Sequence, residues 1–380
     1  MKDYTVDCYR ESIKVLKENS NKFGVFASGI SKQAKDRNYL SIFGRDASIC
    51  SMGMVLSGDK TLQVSARLSL ETLVKHQSKN GQIPFLVKPK TKQSDFYYLG
   101  CIDSTLWWLI AIKFYDQNTG AKLSKKFSRQ INLAINWLKC QEHPKFYLVQ
   151  QNEASDWADL MPRSGFVLYS NALWYWVKKL YNLENIKLTK KYFNYIFNPK
   201  AVSTEHRIKI LKSFIKAEKN NPSYLSFVNY SFAGYEVDVL GNILACLVGL
   251  ADDKKTKNII KYFISKKANK PWPIKTVLKA IKINDKLWRE YMNRHSGINK
   301  PYKYHNGAIW SFIGGFWVVL LSLSNKKLAT EELARLAELN HKGNWQFREY
   351  FDGKNFKGYG MSRQSWNAAL YIVAYKHLNS

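Results

Sequence analysis

Apolar residues recur along this chain at helical spacing, segment after segment. Within 61–78, Leu62, Ala66, Leu70, Leu73 and Val74 follow the helical period, and within 124–140 so do Phe127, Ile131, Ala134, Ile135 and Leu138. The same pattern predicts helices near 4–18, 45–57, 61–78, 103–118, 124–140, 165–182, 188–198, 204–219, 235–250, 254–266, 273–283, 305–323, 328–342 and 361–378. Segments 45–57, 103–118, 165–182, 235–250 and 305–323 are more apolar than the segments that follow them. A helix apolar all round must be enclosed by protein, whereas an amphipathic one needs only one covered face. An enclosed helix followed by a half-covered one, repeated about six times, predicts an all-α (α/α)6 toroid, one domain over residues 1–380. The uncharged run from Gly307 to Asn325 is near the length of a membrane span. It holds Gly314-Gly315 at its centre and has no second span to accompany it, so it reads as a buried inner helix.

The connections between hairpins are uneven. Residues 83–102, 141–164, 220–234 and 343–360 are long and rich in Trp, Tyr, Asp, Glu and Arg. Long ordered connections in a compact domain are more often functional than accidental. In a toroid they gather at one end and wall a central cavity. Site loops are therefore expected near 40–46, 83–103, 141–164, 299–310 and 343–364.

Composition narrows the function. A hydrophobic fraction of 46% excludes wholesale disorder, and 9 Pro with 20 Gly in 380 residues favours helices over a loop-rich β protein. The net charge of +30 raises the question of nucleic acid. Its Lys-rich stretches, 186–219 and 253–282, lie on otherwise amphipathic segments, with no RRM, zinc finger or phosphate loop beside them. The charge reads as a solvated surface, with no nucleic-acid or membrane partner. Five cysteines stand singly with no CxxC or CxxH spacing, which predicts neither disulfides nor zinc. No metal or other cofactor is expected. The first residues lack the apolar core of a signal peptide, so a cytoplasmic setting is the expectation. Oligomeric state is not legible.

Four constellations could carry chemistry. Phe43-Gly44-Arg45-Asp46 leads into an apolar helix, where Arg45 and Asp46 either cap it or bind sugar hydroxyls. Cys101 to Trp108 sets Asp103 before Trp107 and Trp108, as a cap above core aromatics or as a sugar contact beside an aromatic platform. The densest is Glu153 to Gly165, with Asp156, Trp157, Asp159 and Arg163 in one long loop. A carboxyl among apolar side chains has its pKa raised, as a general acid requires. The alternative is a surface loop with an Asp–Arg pair. Last, Asn344 to Gly353 sets Glu349 among aromatics, suited to polarising water, and Asp352-Gly353-Lys354-Asn355 forms a tight turn. Two carboxylate loops in an aromatic-rich toroid meet the demands of glycoside hydrolysis: one acid protonates the leaving oxygen and one base activates water. No Ser-His-Asp, Cys-His or metal-spaced His pattern competes.

At these residues the chain resembles the neutral/alkaline invertases. It also resembles the wider (α/α)6 glycosidases that include amylo-α-1,6-glucosidase-like (debranching) proteins, trehalases and processing α-glucosidase I. The resemblance runs from about residue 40 to the end. It rests on Gly44-Arg45-Asp46, Asp103 to Trp108, Asp156 to Arg163, Tyr304 to Trp310, Glu349 to Lys354, and Ser362-Arg363-Gln364-Ser365-Trp366. It implies an inverting, exo-acting hydrolase of an α-linked glucoside or oligosaccharide, with Asp159 as general acid and Glu349 as general base. Asp156 is the alternative acid. Arg45, Asp46, Asp103, Trp107, Trp157, Arg163, His305, Asn306, Gln364 and Trp366 would complete the sugar site. Leu168 to Tyr175 replaces the His-rich stretch of the invertases, and Arg348 stands where they have Pro, which points toward the debranching-like branch. The alternatives are a non-catalytic carbohydrate- or polyanion-binding toroid, and a lyase or phosphorolytic enzyme on the same frame.

Overall fold

A computed structural model describes residues 3–96 and 101–379. Part of the expected site loop 83–103, residues 97–100, lies outside them. Twelve helices build the frame: α1 (Thr5–Asn19), α2 (Gly44–Leu56), α3 (Lys60–Lys75), α4 (Ile102–Thr119), α5 (Ser128–Gln141), α6 (Leu168–Leu180), α7 (Ile186–Phe197), α8 (Val239–Leu247), α9 (Asp253–Ser265), α10 (Ser311–Ser322), α11 (Lys326–Trp345) and α12 (Ser365–Asn379). The even-numbered helices form a closed ring: α2 packs on α4, α4 on α6, α6 on α8, α8 on α10, α10 on α12, and α12 back on α2. The odd-numbered helices lie outside it. The last inner helix takes its outer partner from the other end of the sequence, since α1 packs on α12. This is the (α/α)6 toroid.

The hydrophobic pattern explains which helix goes where. In α2 every residue from Gly44 to Val55 is buried, and in α10 every residue from Ser311 to Val318. The apolar run that matched a membrane span is this inner helix, and among the described residues no helix is long and apolar enough to cross a membrane. The outer helix α3 buries Leu62, Ala66, Leu70, Leu73 and Val74, the stripe its spacing predicts. Packing between inner helices is close. A Cβ on Gly53 would sit 2.3 Å from the Ala369 carbonyl oxygen of α12, so only glycine allows that approach.

Three expectations are corrected. Residues 273–283 are not helical. They run irregularly, with isolated bridges from Val277 to Asp238 and from Lys275 to Ile309, and Thr276 N–H donates to the Ala308 carbonyl at 2.9 Å. The backbone of 275–277 is bonded instead to distant segments, and these long-range bonds take the place of local helical ones. The helix expected over 204–219 spans only His206–Lys212, and the one over 305–323 begins at Ser311, since Ile309 ahead of it is extended and bridges Phe351 and Lys275. Short sheets link the entrances of the inner helices. Ile42–Phe43 pairs with Leu86–Lys88 ahead of α2, and Gly165–Val167 pairs with Gln150–Gln151 and Phe227–Val228 ahead of α6. These ties gather the N-terminal ends of the inner helices and their long loops at one face of the ring. All five cysteines are free thiols.

Candidate active site

At that face lies a cavity of about 440 Å³. Asp159 and Glu349 both line it, with Arg45, Asp46, Trp157, Gln364 and Trp366 from the sequence-derived set. Three of the four long connections send residues to it, whereas 220–234 sends none.

Glu349 opens a short hairpin of Tyr350–Phe351 and Gly358–Tyr359, closed by the turn at Asp352, whose Oδ1 accepts the Lys354 and Asn355 N–H groups at 2.8 and 3.0 Å. The hairpin fixes the carboxylate. Tyr39 donates its hydroxyl to Oε1 at 2.6 Å and the Met361 N–H donates to Oε2 at 2.9 Å. Gly360, at φ +73°, is required here, since a Cβ would come within 2.1 Å of Oε2. Burial pushes the Glu349 pKa up, while the two donors hold it down by stabilising the ionised form.

Asp159 is set differently. Its loop is pinned on both sides. Asp156 accepts from the Ala158 N–H at 2.8 Å and from Gln151 Nε2 at 3.0 Å, and Asn299 Nδ2 donates to the Leu160 carbonyl at 2.6 Å. The Trp157 ring packs edge-on against His305, Trp310 and Phe312. Asp159 projects between these anchors with 20% of its side chain exposed, and among the described residues no group donates a hydrogen bond to it. Burial raises its pKa to about 7; Arg45 opposes this, and the charges of Asp156, Asp103 and Glu349 add to it. Its Oδ1 lies 3.7 Å from His305 Nδ1. Burial holds that imidazole neutral, well below its usual pKa, and its Nδ1 has no hydrogen-bond partner among the described residues.

Beneath the cavity a buried network orients Arg45. Its Nε is 3.3 Å from Asp46 and its Nη1 3.2 Å from Asp103. Tyr169 donates to Asp103 at 3.2 Å and accepts from Trp107 Nε1 at 2.7 Å. Asp103 and Trp107 are fully enclosed, so the structure places them behind Arg45 rather than on the wall. Asp156 and Arg163 are likewise enclosed. Arg163 Nη1 lies 3.1 Å from Asp238 and 3.9 Å from Asp156, tying the Asp159 loop to the start of α8. His305 backs Asp159 and Trp157. Asn306 is a loop staple that bonds the Ile281 N–H and carbonyl at 2.7 and 2.8 Å. Sequence reasoning passed over Tyr39, which has no periodic or motif context, and Tyr304 and Trp310, which complete the aromatic wall. The last two stand in the stretch Tyr304 to Trp310, from which only His305 and Asn306 are expected at the site.

The wall carries unsatisfied polar groups. Both amide atoms of Gln364 and the indole N–H groups of Trp157 and Trp366 have no hydrogen-bond partner among the described residues. A polyhydroxylated ligand could satisfy such groups. Among the described residues no group of three or more His, Cys, Asp or Glu side chains is arranged to hold a metal ion.

Solved structures share the fold. A GH63 mannosylglycerate hydrolase from Thermus thermophilus, in complex with Tris and D-glycerate, matches with a TM-score of 0.68 at 13% identity, covering 96% of this chain and 99% of that one. The same enzyme in complex with glucose matches at 0.64 with 13% identity and the same coverage. An α-amylase from Clostridium perfringens matches at 0.60 and 13% identity, covering 97% of both chains. Comparison with curated protein sequences gives no match. The family model described as alkaline and neutral invertase matches residues 147–380, a stretch holding the Asp159 loop, the Glu349 hairpin and four of the inner helices, while Arg45, Asp46 and Asp103 lie ahead of it. This protein therefore belongs to the alkaline and neutral invertase family of glycoside hydrolases.

Proposed function

We propose that the protein is an inverting, exo-acting hydrolase of an α-linked glucoside or small oligosaccharide, working as one catalytic unit with Asp159 as general acid and Glu349 as general base. The observation that carries this reading is the contrast between two carboxyl groups on one cavity. Asp159 has no donor among the described residues and a pKa raised to about 7, so it holds a proton near neutrality. Glu349 accepts two hydrogen bonds that favour its ionised form. Such a split assigns acid and base.

In the proposed reaction the terminal sugar enters the closed end. Arg45, Asp46 and Gln364 bond its hydroxyls, and the Trp157 and Trp366 rings pack on its apolar faces. Asp159 gives its proton to the departing glycosidic oxygen while that bond breaks. Glu349 takes a proton from a water that attacks the anomeric carbon from the opposite side. The transition state gains oxocarbenium character, which the Glu349 and Asp46 carboxylates stabilise. A cavity of about 440 Å³ suits a small ligand or the end of a chain rather than a polymer's length. The glucose complex of the Thermus enzyme supports glucose as the terminal sugar.

The test is turnover of sucrose, trehalose, isomaltose and branched dextrin, with NMR of the first-formed anomer. The reading expects the anomer opposite to the substrate's linkage. Retention would overturn the inverting assignment, and wild-type turnover by Glu349→Gln would overturn the base.

A further inference from the structure

The residues that line the cavity sort by depth. At the floor the charges have partners: Arg45 meets Asp46 and Asp103, and Glu349 is bonded by Tyr39. At the mouth, Arg37, Asn38, Asp95 and Arg294 are exposed. Neither of these arginines has a carboxylate within ion-pair distance among the described residues. Arg37 follows the short helix Lys32–Asp36 and stands two residues before Tyr39, on the Glu349 side. Arg294 opens the turn Arg294–Gly297, whose next residues include Asn299, the side chain that grips the Leu160 carbonyl beside Asp159. The two cations thus approach the mouth from the base side and the acid side. Asp95 is the one exposed carboxylate beside them among the described lining residues.

In an exo-acting site the terminal sugar fills the closed end, and the leaving group points to the mouth. Two guanidinium groups there, with no ion-pair partner among the described residues, suit a planar or tetrahedral anion, which they bond through several N–H donors at once. A net charge of +30 draws such a ligand inward. We infer that the leaving group of the substrate carries an anionic group, a carboxylate or a phosphate, bound at the cavity mouth by Arg37 and Arg294. This rests on the hydrolytic reading above and deepens it, since a plain sugar leaving group would leave both arginines without a partner.

The test is a ligand-observed NMR titration of the whole protein in the presence of glucose, with D-glycerate, glycerol 3-phosphate and glycerol as leaving-group probes. At least one anion is expected to bind tenfold or more tightly than glycerol, and the tighter of the two tells carboxylate from phosphate. Arg294→Gln and Arg37→Gln should each remove about tenfold of that preference, or ~1.4 kcal/mol. Both side chains are exposed, so neither change strands a buried charge, and an unshifted thermal midpoint checks the fold. Equal binding of glycerol and both anions, or a preference that survives the double substitution, would overturn the inference. Because the titration reads binding, it keeps its meaning whatever Glu349→Gln does to turnover. Absence of anion preference in the active parent enzyme refutes only the leaving-group assignment.

Discussion

The Glu349 hairpin and the Asp159 loop face the same cavity and treat a carboxyl group in opposite ways. The hairpin supplies a hydroxyl and a backbone N–H to Glu349 and a glycine that lets them close around it. The loop supplies Asp159 with apolar walls, like charges nearby and no donor. Burial alone raises both groups. Only Glu349 has donors that oppose the rise, which is why the proposed mechanism puts the proton on Asp159. The lesson is that two acidic residues on one cavity are told apart by what touches their oxygens.

The largest break in this comparison comes from removing either group. Asp159→Asn and Glu349→Gln should each lower kcat on an ordinary glycoside by about 10²–10⁴-fold, the scale of general acid–base catalysis. Steady-state rates with a thermal melt as the fold control check this. Cutting the anchor behind the loop should act on stability instead. Arg163→Met leaves Asp238 and Asp156 buried without their cation, and the cost should be about 3–5 kcal/mol, read as a fall in the urea midpoint.

The inner ring was legible because residues apolar on all sides leave a helix no exposed face. Most of α2, α4, α6, α8 and α10 follows from that alone. The segment 273–283 misled because Val277 and Ile281 are equally apolar when their backbone is paired with Asp238 and held by Asn306 across loops. The Asp159 loop was legible from its density of Asp, Trp and Arg. Asp103, Trp107 and Arg163 were legible as polar or aromatic residues near a site, but not as its underside, since burial depth at a helix entrance has no local signature. Tyr39 carried no signal at all: its partner is 310 residues away.

A smaller effect sharpens the electrostatic half of the comparison. The folded protein keeps the Asp159 proton to about pH 7, while an unfolded Asp releases it near pH 4. Between those values the folded state binds more protons, so its stability falls as pH rises. Asp159→Asn removes that fall. Its advantage over the parent protein should grow from near zero at pH 4 to roughly 2–4 kcal/mol at pH 8, measured by denaturant midpoints. The basic limb of kcat/KM should lie near pH 7 for the same reason. Smallest is Tyr39→Phe. Losing one donor raises the Glu349 pKa further, so the acidic limb should move up by about one pH unit, with about a tenfold loss in kcat at low pH.

The division of labour is tested most directly by the leaving-group dependence of the two variants. A 2,4-dinitrophenyl glucoside needs no proton to depart, but its water still needs a base. Asp159→Asn should recover to within about tenfold of the parent enzyme on it, while Glu349→Gln should stay about 10³-fold down. Recovery by Glu349→Gln instead, or equal deficits in both variants, would contradict the assignment of acid and base.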